Sequence, residues 1–179
     1  MKALIAYSSG YGATKEVSQK IGQVLQQENS LQVDIISIDE VDGIKDYDVV
    51  IVGSSVRADR PLANVRDFFR RYRFVLPTKY VALFAVCLAA KDEEGREKVK
   101  REYLSQITDK YPQLKVVASE AFGGKIDFDR LNPVMQNLMH RVLDKTGIPT
   151  FGSVDTRDWN FIRSWAENLG QIIASAKSG

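Results

Sequence analysis

Several residue types that usually build reactive sites are nearly missing from this chain. One cysteine, Cys87, excludes an intramolecular disulfide framework and any Cys-based zinc or iron–sulfur centre. One histidine, His140, excludes a two-His metal site and leaves no His-based relay to assemble. Net charge is almost absent as well. The 25 Lys and Arg face 23 Asp and Glu, a formal +2, too near neutral for a general nucleic-acid binder. The longest apolar run, Tyr80 to Ala90, is too short to span a bilayer as a helix. The N-terminus lacks the longer apolar region and cleavage site of a signal peptide. A cytoplasmic protein is expected, with peripheral contact to the inner face of a membrane left open. The 12 glycines and 5 prolines are scattered, which excludes a disordered or fibrous chain.

What is present is a chain of 179 residues, 44% hydrophobic, enough for one domain over 1–179 with one sizeable core. Apolar runs at Lys2 to Tyr7, Val33 to Ile38, Asp48 to Gly53, Tyr80 to Ala89 and Lys115 to Ala121 read as strands. Helical spacing fills Thr14 to Gln27, Asn64 to Tyr72, Asp92 to Lys110, Asp129 to Thr146 and Thr156 to Lys177. The alternation specifies an α/β fold, a parallel sheet with helices on both faces. In such sheets ligands bind beyond the carboxyl ends of the strands, where strand order switches.

The loop after the first strand is built from small residues and hydroxyls: Ser8, Ser9, Gly10, Tyr11, Gly12, Ala13, Thr14. Glycine admits close backbone approach, and the amides of the following helix start form an anion site to which Ser and Thr add donors. A phosphate is the natural occupant. The loop ends neither as a Walker A motif nor as GxGxxG, which disfavours nucleoside triphosphates and dinucleotides. The plainer alternative is an ordinary capped turn.

Tyr7-x-Ser9-x-x-Gly12-x-Thr14 resembles the phosphate loop of flavodoxins. The resemblance implies FMN as cofactor and a flavodoxin-like three-layer sandwich, a five-stranded parallel sheet in the order 2-1-3-4-5. It also implies that Ser54, Ser55, Val56 and Arg57 after the third strand, and Leu88, Ala89, Ala90 and Lys91 after the fourth, hold the flavin ring. Neither stretch carries the aromatic residues that electron carriers usually stack on the ring, and the chain is not acidic as carriers are. The whole pattern is similar to a narrower branch, the menaquinone-dependent protoporphyrinogen IX dehydrogenases. The match includes the turn Phe122-Gly123-Gly124-Lys125, adding Gly123 and Gly124 to the expected cofactor contacts, and the start of the last helix at Asp158-Trp159. The branch implies a tetrapyrrole substrate and a quinone acceptor. The alternative is a flavodoxin-like electron carrier between redox proteins. A third possibility is a cofactor-free domain that only mediates contacts.

An insertion after the start of the fifth strand covers about 127–155. In it Leu131, Val134, Met135, Leu138, Met139, Val142 and Leu143 form one helical stripe. The stripe packs on the domain's own core or makes the 129–145 helix a membrane or oligomer contact, as the resemblance implies. Arg57, Arg60, Arg66, Arg70, Arg71 and Arg73 crowd one stretch. Arginine forks suit carboxylates and phosphates. Arg57 and Arg60 are the candidates for an anionic substrate, and the helical arginines suit a solvated face equally well. Cys87, Trp159 and Trp165 read as packing residues and His140 as exposed. No metal ligands and no acid–base residue are singled out.

Overall fold

The computed structural model describes residues 1–29, 31–57, 60–143 and 147–177. The parallel strands are β1 (Lys2–Ser8), β2 (Gln32–Ser37), β3 (Val49–Arg57), β5 (Tyr80–Val86) and β6 (Lys115–Phe122). They lie in the order β2-β1-β3-β5-β6, the 2-1-3-4-5 arrangement expected for five long strands. A two-residue β4 (Arg60–Pro61) pairs antiparallel with the far end of β3.

Side chains alternate along each strand and fill two cores. Leu4, Ala6, Val50, Val52, Val81, Leu83 and Ala85 face one side. There they meet α2 (Ala63–Arg71), through Val65, Phe68 and Phe69, and the helix made of α3 (Glu93–Val99), a π-helical turn (Lys100–Leu104) and α4 (Ser105–Lys110). Ala3, Ile5, Val49, Ile51, Ala82, Phe84 and Val86 face the other side. There they meet Val17, Ile21, Val24 and Leu25 of α1 (Ala13–Asn29) and Ile162, Ala166, Leu169 and Ile173 of α6 (Trp159–Lys177). Unbroken Val/Ile runs suit strands covered on both faces. Trp165 packs edge-on against Phe122, with centroids 5.5 Å apart, as its sequence position predicted.

Four boundaries among the described residues move by three residues or more. β3 runs on through Ser54–Arg57, where a loop was expected, because Val56 and Arg57 pair with Pro61 and Arg60 of β4. β5 stops at Val86 rather than Ala89, and a 3₁₀ turn (Leu88–Ala90) follows. The insertion helix, expected from Asp129, starts only at Pro133, giving α5 (Pro133–Leu143). Asn132 sets that start: its Oδ1 accepts from Met135 N–H at 2.9 Å, and Pro133 occupies the first helical position. Thr146 and Lys145, placed at the end of this helix by spacing, lie outside the described residues. α6 starts at Trp159 instead of Thr156, because Asp158 Oδ1 caps it, accepting from Asn160 and Phe161 N–H at 3.0 Å each.

The insertion leaves through β7 (Lys125–Asp127) and returns through β8 (Ser153–Asp155), an antiparallel pair off the main sheet. Its small core joins Ile126, Phe128, Leu131, Leu143 and Ile148 to Leu88. The expected stripe is therefore split. Leu131 and Leu143 are buried, Met135 and Met139 pack partly against that core, and Val134 and Leu138 are 80% and 50% exposed. The side chain of Val142 lies outside the described portion. His140 is exposed, as expected.

Candidate functional site

β1 has β2 on one side and β3 on the other, so the connections leaving β1 and β3 diverge and open a crevice at their carboxyl ends. Ser8 of β1 pairs in register with Ser54 of β3. Hydroxyl groups stitch the two ends together. Ser55 Oγ donates to Ser8 O and accepts from Gly10 N–H, each at 3.2 Å. Ser54 Oγ donates to Ser55 O at 2.8 Å and accepts from Leu62 N–H at 3.4 Å. The Asn64 amide nitrogen donates to both Asp39 carboxylate oxygens, at 3.1 and 2.9 Å. That leaves its Oδ1 to accept from Ser8 Oγ at 2.8 Å.

The hydrogens of Ser8, Ser54 and Ser55 are therefore committed within the protein, and two hydroxyls stand apart. Ser9 Oγ accepts from Gly12 N–H at 3.0 Å and keeps its own hydrogen for a ligand. Thr14 is fully buried and its hydroxyl has no hydrogen-bond partner. A buried hydroxyl left unpaired costs about 1–3 kcal/mol, so a residue kept there points to a ligand that pairs it. Gly12, at φ +91°, turns the chain into α1. The first intrahelical bond runs from Glu16 N–H to Gly12 O at 3.0 Å, so the amides of Ala13, Thr14 and Lys15 precede it. They carry the positive end of the helix dipole. Neutral donors, a buried orphan hydroxyl and the absence of any cation within 8–14 fit a phosphate monoester.

Beside this loop sits a charged group that sequence reading missed. Arg157 grips Asp155 with Nε at 2.8 Å and Nη2 at 2.6 Å, and its Nη1 donates to Glu16 Oε2 at 2.8 Å. Its side chain is only 2% exposed and lies 4.4 Å from the centre of the Trp159 ring. Trp159 itself is exposed, so it does not sit in the core. Burial works against the Arg157 charge, and the hydrogen bonds to Asp155 and Glu16 more than offset it, raising the group above the ordinary guanidinium value. The same Arg157 contact holds the Asp155 carboxyl below the usual carboxylate range. No local pattern announces the Glu16–Arg157 pair, whose members are 141 residues apart.

The other expected contacts lie at the ends of β3 and β5. Val56 is half-buried, Leu88 joins the insertion core and Ala90 the α2-side core, while Ala89 and Lys91 are exposed. A Cβ on Gly124 would come within 2.9 Å of the Cys87 carbonyl carbon, and one on Gly123 within 2.0 Å of Thr156 O. Gly124 thus lets the stem of the insertion close against the end of β5, and Gly123 lets the two limbs of that stem close on each other. Cys87 is partly buried there. The side chains of Arg57 and Arg60 lie outside the described portion. On α2 and just after it, Arg66 is exposed, Arg70 pairs with Asp67 at 2.9 Å, and Arg73 covers the exposed Phe74 ring at 4.3 Å. Arg71 reaches Val41 O at 3.5 Å. Two concavities of about 350 and 480 Å³ lie elsewhere, beside Lys100 and Thr108 and beside Lys2 and Tyr47, and neither is lined by the phosphate-loop residues.

Comparison with known proteins adds three findings. Residues 4–152 match the flavodoxin domain family. Two similar proteins are named protoporphyrinogen IX dehydrogenase [quinone]. That of Leishmania major is 25% identical over 179 residues, covering 96% of this chain and 75% of that protein. That of Escherichia coli strain K12 is 21% identical over 180 residues, covering 96% of each. Among solved structures, two-electron reduced Megasphaera elsdenii flavodoxin superposes with a TM-score of 0.55 at 17% identity, covering 68% of this chain and 85% of that one. No helix among the described residues is long and apolar enough to cross a membrane.

Proposed function

The chain belongs to the flavodoxin domain family, whose cofactor is FMN, and on that premise we propose that it oxidises a tetrapyrrole-type substrate and delivers the electrons to a quinone. The observation that carries the cofactor is the buried, unpartnered Thr14 hydroxyl at the start of α1. Ser9 Oγ, Thr14 Oγ1 and the amides of Ala13, Thr14 and Lys15 hold the phosphate. Ser8, Gly10, Tyr11 and Gly12 shape that loop. Ser54, Ser55, Val56 and Arg57 on one side, and Leu88, Ala89, Ala90 and Lys91 with Gly123 and Gly124 behind them on the other, frame the ring. FMN, when bound, supplies the acceptor for an electron pair.

Neither ring-framing stretch carries an aromatic side chain, which leaves a flat substrate room to stack. Arg57 and Arg60 receive the substrate's carboxylates, whose geometry suits a guanidinium fork. The substrate class is supported by similarity to dehydrogenases matched over 96% of this chain. A quinone acceptor resides in lipid, and the exposed Val134, Leu138 and Phe151 of the insertion support contact there with a membrane surface.

Anaerobic addition of protoporphyrinogen IX to the FMN-loaded protein tests this. Bleaching of the flavin absorbance, with recovery on adding a quinone, is the expected result. A flavoprotein indifferent to the porphyrinogen but reduced by a redox protein would make it an electron carrier. Failure to take up FMN at all would overturn both.

A further inference from the structure

We infer that Arg157 sets the charge at the phosphate loop by holding Glu16, and so decides how strongly the site prefers a phosphorylated flavin to an unphosphorylated one. The inference rests on the FMN reading above. Glu16 lies in the first turn of α1, where a carboxylate is favoured by the helix dipole and competes with a bound anion for the same positive end. Its Oε1 is 4.0 Å from where a Cβ on Gly12 would stand, so the carboxylate lies directly beside the loop.

Its other oxygen is held at 2.8 Å by Arg157 Nη1. Arg157 is in turn fixed by two bonds to Asp155 and by the Trp159 ring. Two carboxylates and one guanidinium leave the group with a single negative charge. Without Arg157 there would be two, facing a dianionic phosphate. Lys15, the neighbouring cation on α1, is exposed, and Lys125 stands opposite Asp155. The Arg157 side chain is 2% exposed, but the Glu16 side chain it holds is 45% exposed, so salt screens what the pair presents to the loop. Arg157 is a positioning residue: it reaches the ligand through Glu16.

Titration of the full-length chain with FMN and with riboflavin, for wild type, Arg157→Gln, Glu16→Gln and the double variant, tests this. Arg157→Gln should weaken FMN about tenfold and riboflavin by no more than about twofold, with the FMN loss shrinking as salt rises. Glu16→Gln should tighten FMN several-fold and, added to Arg157→Gln, restore most of what that change lost. An equal loss for both flavins in Arg157→Gln would show a merely structural role and overturn the inference. Should Arg157→Gln fail to fold, Glu16→Gln decides alone, since its side chain is exposed: unchanged FMN affinity would overturn the inference. A wild-type chain that binds neither flavin would instead overturn the cofactor reading itself.

Discussion

The two sides of the crevice are held by different physics. Around the phosphate loop, order comes from hydrogen bonds between residues far apart in the chain: Ser8 with Asn64, Gly10 with Ser55, Arg157 with Glu16. Those bonds sit on a sheet whose flanking residues are fully buried. Across from it, the insertion is held by a small core seeded on Leu88, and it leaves Val134, Leu138 and Phe151 in solvent. A polar network fixes direction as well as position, because each hydroxyl hydrogen has one destination. A small apolar core fixes position alone. The first suits a ligand with fixed charges, and the second suits a surface that adapts to an apolar partner.

The largest test of this contrast is a pair of core truncations. Ile21→Ala, beneath α1, should lower the unfolding free energy by about 2–5 kcal/mol in chemical denaturation. Leu131→Ala should cost less, about 2 kcal/mol, with the loss of hydrogen-exchange protection confined to 125–155. Equal, global losses would erase the distinction. Next in size is Thr14→Val, which keeps the shape and removes the orphan hydroxyl. Stability of the FMN-free protein should hold or rise by about 1 kcal/mol, while FMN affinity falls about tenfold, read by denaturation and fluorescence titration.

Asn64→Ala leaves the Ser8 hydroxyl without its acceptor. A destabilisation of about 1–2 kcal/mol is expected, together with looser FMN binding. The smallest effect is on acid stability. The carboxyl of Asp155 is held below its unfolded value, so its contribution is complete above the ordinary carboxylate pKa and is lost as pH falls through the folded one. Asp155 is partly solvated, so the contribution is below about 1 kcal/mol. The acid limb of the stability curve should therefore be slightly flatter in Asp155→Asn.

The sequence made the sheet and the phosphate loop legible for a common reason: both are written in local spacing. The Val49–Val52 run suits a doubly covered strand, and Ser9, Gly12 and Thr14 stand within one loop and the helix start it feeds. Where partners are distant, spacing is silent. Nothing near Ser8 shows that its hydrogen is taken by Asn64, and nothing near Val56 shows that Pro61 will extend β3. The insertion failed differently. Its apolar stripe is real, but periodicity reports a face and not what covers it. The patch offered by Leu88, Ile126 and Phe128 covers only part of that face.

Gly124 and Thr156 exchange three hydrogen bonds at the neck of the insertion: Thr156 N–H to Gly124 O at 2.9 Å, Gly124 N–H to Thr156 Oγ1 at 3.1 Å, and Thr156 Oγ1 to Gly124 O at 3.1 Å. The segment between them leaves through β7 and returns through β8, which pair side by side off the main sheet. A change in its length would leave the strand order of the main sheet as it is, because β7 and β8 take no place in it. A shorter connection at that neck would expose Leu88 and little else of the frame. The neck thus joins a small, separately packed core to the sheet through one short stretch of backbone.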